Sequence, residues 1–143
     1  MSRDLSQLTK LDKETVAEFA AHQMLRTKFQ FNDAKRFLDD LYRPIESIIN
    51  ERIHRDERDF WLENLSSAEE YKIHLLNKVW VLAESSKKFY ISDNPVVLQN
   101  STNNGTHRGN LGLDSLGIEI YLPLSGSLVL CMFCNKTVLG CFF

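Results

Sequence analysis

The chain has 143 residues, the size of one ordinary domain, with 43% hydrophobic and 25% charged residues, a globular balance that can fold without disulfide staples. With 17 Lys+Arg against 19 Asp+Glu the formal net charge is −2, so no basic excess marks a nucleic-acid binder. No apolar run approaches the roughly 18 residues of a membrane span, and three cysteines, an odd number set late in the chain, argue for a reducing compartment over a disulfide framework. The opening MSRDLSQLTKLDKETV is polar and carries no signal-peptide pattern, so the expected location is cytoplasmic.

Two regimes follow each other along the chain. The pattern is helical to about Glu84 and mostly period two from Lys87 onward. The expectation is one domain over 1–143, with a helical part over 1–84 and a sheet part over 85–143. The first helix starts near Thr9 or Asp12, either of which can accept a bond from a first-turn N–H, and runs to about Lys28. Val16, Phe19, Ala20, Met24 and Leu25 follow at helical spacing and predict a well-buried helix. Asn32 is the expected cap of the second helix. Its apolar stripe runs from Ala34 through Phe37, Leu38, Leu41, Ile45, Ile48 and Ile49 to Ile53. The stripe keeps its phase through Pro44, which predicts one kinked helix over two separate ones. The charge run RIHRDERD, from Arg52 to Asp59, reads as a solvated helix end and connector. The third helix is SSAEEYKIHLLNKVWVLAE, opened by a capping box of Ser66 with Glu69 or Ser67 with Glu70.

Strands come next. KKFYI is the expected first strand, broken by the turn Ser92-Asp93-Asn94-Pro95 and extended by VVL. A polar, glycine-rich tract then predicts a long loop over 99–116. GIEIYLPL alternates, with Ile118, Ile120 and Leu122 on one face and Glu119 and Tyr121 on the other. SGS turns it into LVLCMF, and CNKT turns that into VLGCFF. The fold class is α+β, three N-terminal helices packed on a small antiparallel C-terminal sheet. The chain stops at Phe143 inside an apolar strand, which suggests a fragment or a terminus paired in the sheet. An uncovered sheet edge there predicts a homodimer.

Three segments carry a resemblance. FAAHQMLRTKFQ, YISDNPVVL and IEIYLPLSGSLVL occur in this order and spacing, with Gln23-Met24-Leu25-Arg26-Thr27, Ser92-Asp93-Asn94-Pro95 and Leu122-Pro123-Leu124-Ser125 as their sharpest parts. Together they resemble the bacterial family called domain of unknown function 4238, over about Leu8 to Leu130. Members of that family usually open with a His-rich segment and continue past the last strand here, so the chain looks like a short version of it. The resemblance implies no established activity.

The Ser92–Pro95 stretch has two readings. It is a turn, with Ser and Asp side chains bonding backbone N–H groups and Pro95 holding Asn94 extended. Or the same rigidity presents Asp93 and Asn94 as a carboxylate and an amide, fit for a divalent ion, a phosphate or a sugar. Arg26 compensates the dipole at its helix end, or forks onto a carboxylate, with Asp93 the expected partner. In that second reading Arg26 and Asp93 tie sheet to helices as a structural hub, and His22 and Gln23, one turn earlier, share the cluster. Cys131 and Cys134 resemble half a zinc knuckle, with Cys141 a third thiol. A closed site needs a fourth ligand, and none is visible, so the expectation is reduced, metal-free cysteines and no cofactor. Ser125 lacks the setting of a nucleophile elbow, and GTHRGNLG (105–112) lacks the strand-to-helix setting of a phosphate loop.

The expected function is a binding or regulatory module for an unknown ligand or protein partner, using the groove between the helices and the open end of the sheet. The alternative is a hydrolase-like or nuclease-like enzyme centred on Asp93. That alternative requires a second carboxylate or a His nearby, for which Glu119 and Asp114 are the nearest segments' candidates.

Overall fold

The computed structural model describes residues 5, 7–54, 56–102 and 111–135. Four helices precede four strands: α1 (Lys10–Leu25), α2 (Lys28–Ile49), α3 (Glu57–Ser66) and α4 (Ala68–Leu76), then β1 (Val79–Glu84), β2 (Val97–Asn100), β3 (Ile118–Pro123) and β4 (Leu128–Phe133). The class is α+β, with helices mostly N-terminal and a four-stranded antiparallel sheet toward the C-terminus. No helix among the described residues is long and apolar enough to cross a membrane.

Thr9 caps α1. Its Oγ1 accepts the Asp12 N–H at 3.2 Å, and Asp12 Oδ2 accepts the Thr9 N–H at 2.9 Å. This is a reciprocal capping box with Asp in the place of the usual Glu. Three alanines, Ala17, Ala20 and Ala21, are fully buried. Small side chains there let α1 lie close against α4, in one buried cluster with the inner residues of the sheet.

Two residues join α1 to α2, Arg26 as the cap of the first and Thr27 as the cap of the second. Thr27 is buried, its Oγ1 accepts the Gln30 N–H at 3.2 Å, and its hydroxyl donates to the Met24 carbonyl at 3.4 Å. The expected cap, Asn32, therefore falls inside α2, because Thr27 already supplies the oxygen that a helix start needs. α2 runs unbroken through Pro44, as its continuous stripe predicts, and ends at Asn50 in the left-handed conformation, φ 51°. Leu38 is the one residue of α2 that is buried.

The charge run conceals a helix start. The Asp56 carboxylate accepts the N–H groups of Arg58 and Asp59, both at 3.1 Å, and opens α3. Trp61 of α3 meets Phe31 of α2 edge to face, with ring centres 6.0 Å apart.

The expected third helix is also corrected. Neither capping box forms: Ser67 makes no side-chain cap bond, and the Ser66 hydroxyl donates to the Glu63 carbonyl instead. α4 stops at Leu76, and KVWVLAE, expected as helix, supplies β1. Val79, Trp80 and Val81 are β-branched or aromatic and favour a strand. Trp80 Nε1–H also donates to the Leu75 carbonyl at 2.9 Å, which accepts the Lys78 N–H at 3.1 Å too, and so fixes the indole to the end of α4. The sheet thus begins before the expected boundary at 84.

Strand order is β1-β4-β3-β2, with every neighbouring pair antiparallel. KKFYI, the expected first strand, is not in the sheet. Residues 85–96 instead pass beside the β3–β4 turn, with the Ser85 N–H on the Ser127 carbonyl at 2.8 Å and the Phe89 N–H on the Gly126 carbonyl at 2.7 Å. VVL enters the sheet only from Val97, and β2 takes the first two residues of the expected 99–116 loop. GIEIYLPL and LVLCMF are β3 and β4. Ile118, Ile120, Leu122, Leu130 and Met132 face inward, at most 2% exposed, against Leu25, Leu75 and the α1 alanines. The apolar strand expected over 138–143, and the edge it would leave for a second copy, lie outside the described residues, as does Cys141.

Candidate functional site

The last turn of α1, the 91–95 turn and the start of the β3–β4 connection meet around a cleft of about 270 Å³. The first wall is Gln23 and Arg26. Their backbone is fixed from behind by the buried Ala20, Ala21, Met24 and Leu25. Arg26 closes α1 by donating its N–H to the His22 carbonyl at 3.0 Å, and its Nε–H donates to Gln23 Oε1 at 2.7 Å. Gln23 therefore aims the guanidinium. Among the described residues, the two terminal Nη groups meet no acceptor.

The second wall is the turn. The Ser92 hydroxyl accepts the Asn94 N–H at 3.2 Å and donates to the Asn94 carbonyl at 3.0 Å, a serine-locked bend. Pro95 is buried behind it. The third wall is Leu122, Pro123 and Leu124, and the Leu124 N–H is held by the Leu128 carbonyl at 2.8 Å. Phe19, Ile91 and Leu124 give the cleft its apolar rim, each about half exposed, at 52, 57 and 46%.

Of the residues singled out in the sequence, Gln23, Arg26 and Ser92 share this cleft. Asp93 and Asn94 do not line it. Arg26 and Asp93 form no ion pair, and the bend is locked by Ser92 without Asp93, so the expected hub tie is corrected. Gln23, one turn back on the same helix, already holds the Arg26 Nε, and Asp93 sits on the exposed outside of its bend. Asn94 lines a second cavity, also about 270 Å³, with Met24, Phe29 and Leu98. Ser92 and Asn94 thus stand on opposite sides of one rigid turn.

The carboxylates named as companions of Asp93 are engaged elsewhere. The Tyr121 hydroxyl donates to Glu119 Oε2 at 2.6 Å, and burial together with this carboxylate holds the phenol well above its usual range. Asp114 Oδ1 lies 2.8 Å from His74 Nδ1. Among the described residues no group of three or more His, Cys, Asp or Glu side chains is placed to hold a metal ion. Among the described residues neither Cys131 nor Cys134 is joined in a disulfide, and burial pushes the Cys131 thiol up.

The family described as "Protein of unknown function (DUF4238)" matches residues 2–138. The chain belongs to this DUF4238 family. No curated protein and no solved structure matches it. The three segments on which the resemblance to DUF4238 rests, far apart in sequence, are the three walls of the cleft. Sequence reasoning missed Phe19 and Ile91. An apolar residue on a helix stripe or next to a strand reads as core, and no signal in the sequence marks it as the lip of a cleft.

Proposed function

We infer that this DUF4238 chain is a binding module whose ligand is a small organic anion with an apolar body. The observation that carries the reading is the convergence of Gln23–Arg26, Ser92–Pro95 and Leu122–Leu124 on one cleft. A pocket that joins apolar walls to one or two aimed polar groups is the usual form of a small-molecule site. Here the guanidinium, oriented by Gln23, offers its two Nη groups as a fork for a carboxylate or phosphate oxygen pair. The Ser92 hydroxyl lies across the same cleft, and Phe19, Ile91 and Leu124 take the apolar body. Three cysteines, an odd number set late in the chain, fit a reducing, cytoplasmic setting. A regulatory role follows if ligand occupancy shifts the joint at Thr27, which lies next to Arg26 in sequence. The enzymatic alternative finds less support, since Asp93 has no companion carboxylate or His among those named for it.

Thermal-shift measurements with octanoate, phenyl phosphate, magnesium and nucleotides test this reading, with Arg26→Met and Asp93→Ala as controls. Octanoate or phenyl phosphate stabilises the parent and Asp93→Ala, and fails to stabilise Arg26→Met. Stabilisation by magnesium or a nucleotide that vanishes in Asp93→Ala overturns the reading in favour of an Asp93-centred site.

A further inference from the structure

The charge run from Arg52 to Asp59 leads from α2 into α3, and none of its described residues lines the Arg26 cleft. Asn50, in the left-handed conformation, turns the chain at the end of α2. Glu46 Oε1 accepts the Ile53 N–H at 3.0 Å, and the Asp56 carboxylate caps α3, so the connector is held at both ends. Lys35 Nζ lies 2.8 Å from Glu57 Oε1 and donates to Oε2 at 3.0 Å, which ties α2 to the first turn of α3. Between α2 and the connector lies a cavity of about 420 Å³, lined by Lys35, Asp39, Arg52, Ile53, His54 and Glu57. We propose that this cavity is a second ligand site and that it takes a small sugar phosphate.

The lining decides the class of ligand. Five of its six side chains are ionisable, and Ile53 alone is apolar. A ligand with an apolar body, the kind that suits the Arg26 cleft, would strip water from these groups and give them no partner. A ligand here is therefore polar on every side. Among the described residues, Arg52 and His54 make no side-chain hydrogen bond or ion pair. The Arg52 guanidinium is a planar fork that matches two oxygens of one phosphate. An imidazole keeps one N–H donor even when neutral, so His54 adds to the same group in either protonation state.

Asp39 and Glu57 bring negative charge to the same lining. Each carboxylate has about four lone-pair positions, so Glu57 keeps room for a further donor beside Lys35. These oxygens repel a bare phosphate and accept protons from hydroxyl groups. Donors for one phosphate and acceptors for several hydroxyls, in one cavity, together describe a phosphorylated sugar. A nucleic-acid strand suits the cavity less well. Strand binders stack bases on aromatic rings, and no Phe, Tyr or Trp is among the described lining residues. The volume falls within the range of small-molecule sites, about 300–1,000 Å³. A connector already held at both ends lowers the cost of ordering the site around its ligand.

Amide NMR on the isotope-labelled full chain, titrated with glucose 6-phosphate, glucose and inorganic phosphate, tests the proposal. Glucose 6-phosphate gives saturable shifts at Lys35, Asp39, Ile53, His54 and Glu57. Glucose and inorganic phosphate each bind about tenfold or more weakly, since each lacks one half of the charged contacts. Arg52 is exposed, so Arg52→Met leaves the rest of the spectrum in place and weakens glucose 6-phosphate by about tenfold or more. Arg26→Met binds glucose 6-phosphate as the parent does, which separates this site from the first cleft. Inorganic phosphate that binds as tightly as glucose 6-phosphate overturns the assignment of a sugar. Shifts centred on Gln23 and Arg26, or binding lost in Arg26→Met, place the anion in the first cleft and overturn the second site. An unchanged affinity in Arg52→Met, or no saturable shift in the parent, overturns it as well.

Discussion

Replacing Thr27 by valine removes one hydroxyl from the joint between α1 and α2 and leaves the shape of the side chain nearly unchanged. The residue is 3% exposed, so water cannot easily take the place of the lost oxygen. The bond at stake is the cap, Gln30 N–H to Thr27 Oγ1 at 3.2 Å. Loss of a threonine N-cap costs about 1 kcal/mol, within a range of roughly 0.5–2. The second bond, to the Met24 carbonyl, is 3.4 Å long and adds little. No cavity forms, so no packing loss is added. The expected cost is about 1–2 kcal/mol, or a fall in Tm of about 3–6 °C for a chain of this size. Thr15→Val is the matched control. Thr15 Oγ1 donates to the Leu11 carbonyl at 2.9 Å, a shorter bond, but in the exposed middle of α1 where that carbonyl already has a helical partner. Its loss costs less than about 0.5 kcal/mol. Urea denaturation of both variants decides. A Thr27→Val variant as stable as the parent, or no more destabilised than Thr15→Val, refutes the assignment of Thr27 as the cap of α2.

Gly117 has φ 80°, and a Cβ there would collide with Thr102 Oγ1 and crowd Asn100 Oδ1 at 2.9 Å. Gly117→Ala therefore lowers stability by about 2 kcal/mol or more, read as a lower urea midpoint. Asp93→Ala changes stability by less than about 0.5 kcal/mol in the same assay, since the carboxylate bonds neither its own turn nor Arg26. Burial raises the Cys131 thiol above its ordinary 9.0, so the folded chain holds this proton more tightly than the unfolded chain does. That contribution is fully present below pH 9.0 and is lost as pH rises through the raised folded value. Urea midpoints measured on both sides of pH 9.0 fall with rising pH in the parent and fall less in Cys131→Val.

Where one face of an element is packed and the other is not, the residues announce it. Ile118, Ile120 and Leu122 alternate with Glu119, Tyr121 and Pro123, and the structure buries the first set. Thr9 is legible as a cap because few side chains can accept a first-turn N–H. KVWVLAE was open to both periods, since a run with almost no polar residue shows neither, and only the strand-forming side chains of Val79, Trp80 and Val81 separate the two. The α2 stripe shows the opposite gap. Periodicity says which face of a helix is apolar and is silent about what covers it: Phe37 and Ile48 stand on the stripe and lie exposed. For the cleft, Gln23, Arg26 and Ser92 were legible through the family segments that contain them. Their true arrangement was not, because the Arg26–Asp93 pairing assumed a distance across the fold, while Gln23, three residues away, satisfies the same guanidinium locally.

The central claim is that the cleft holding Arg26 is where this chain binds. Titration of the isotope-labelled chain with octanoate, followed by amide NMR, tests it most directly. The account predicts saturable shifts at Gln23, Arg26, Ser92 and Leu124, absent in Arg26→Met. Shifts confined to Asn94, Val97 and Leu98, or to Phe37 and Leu41 of α2, or no saturable shift at all, would contradict it.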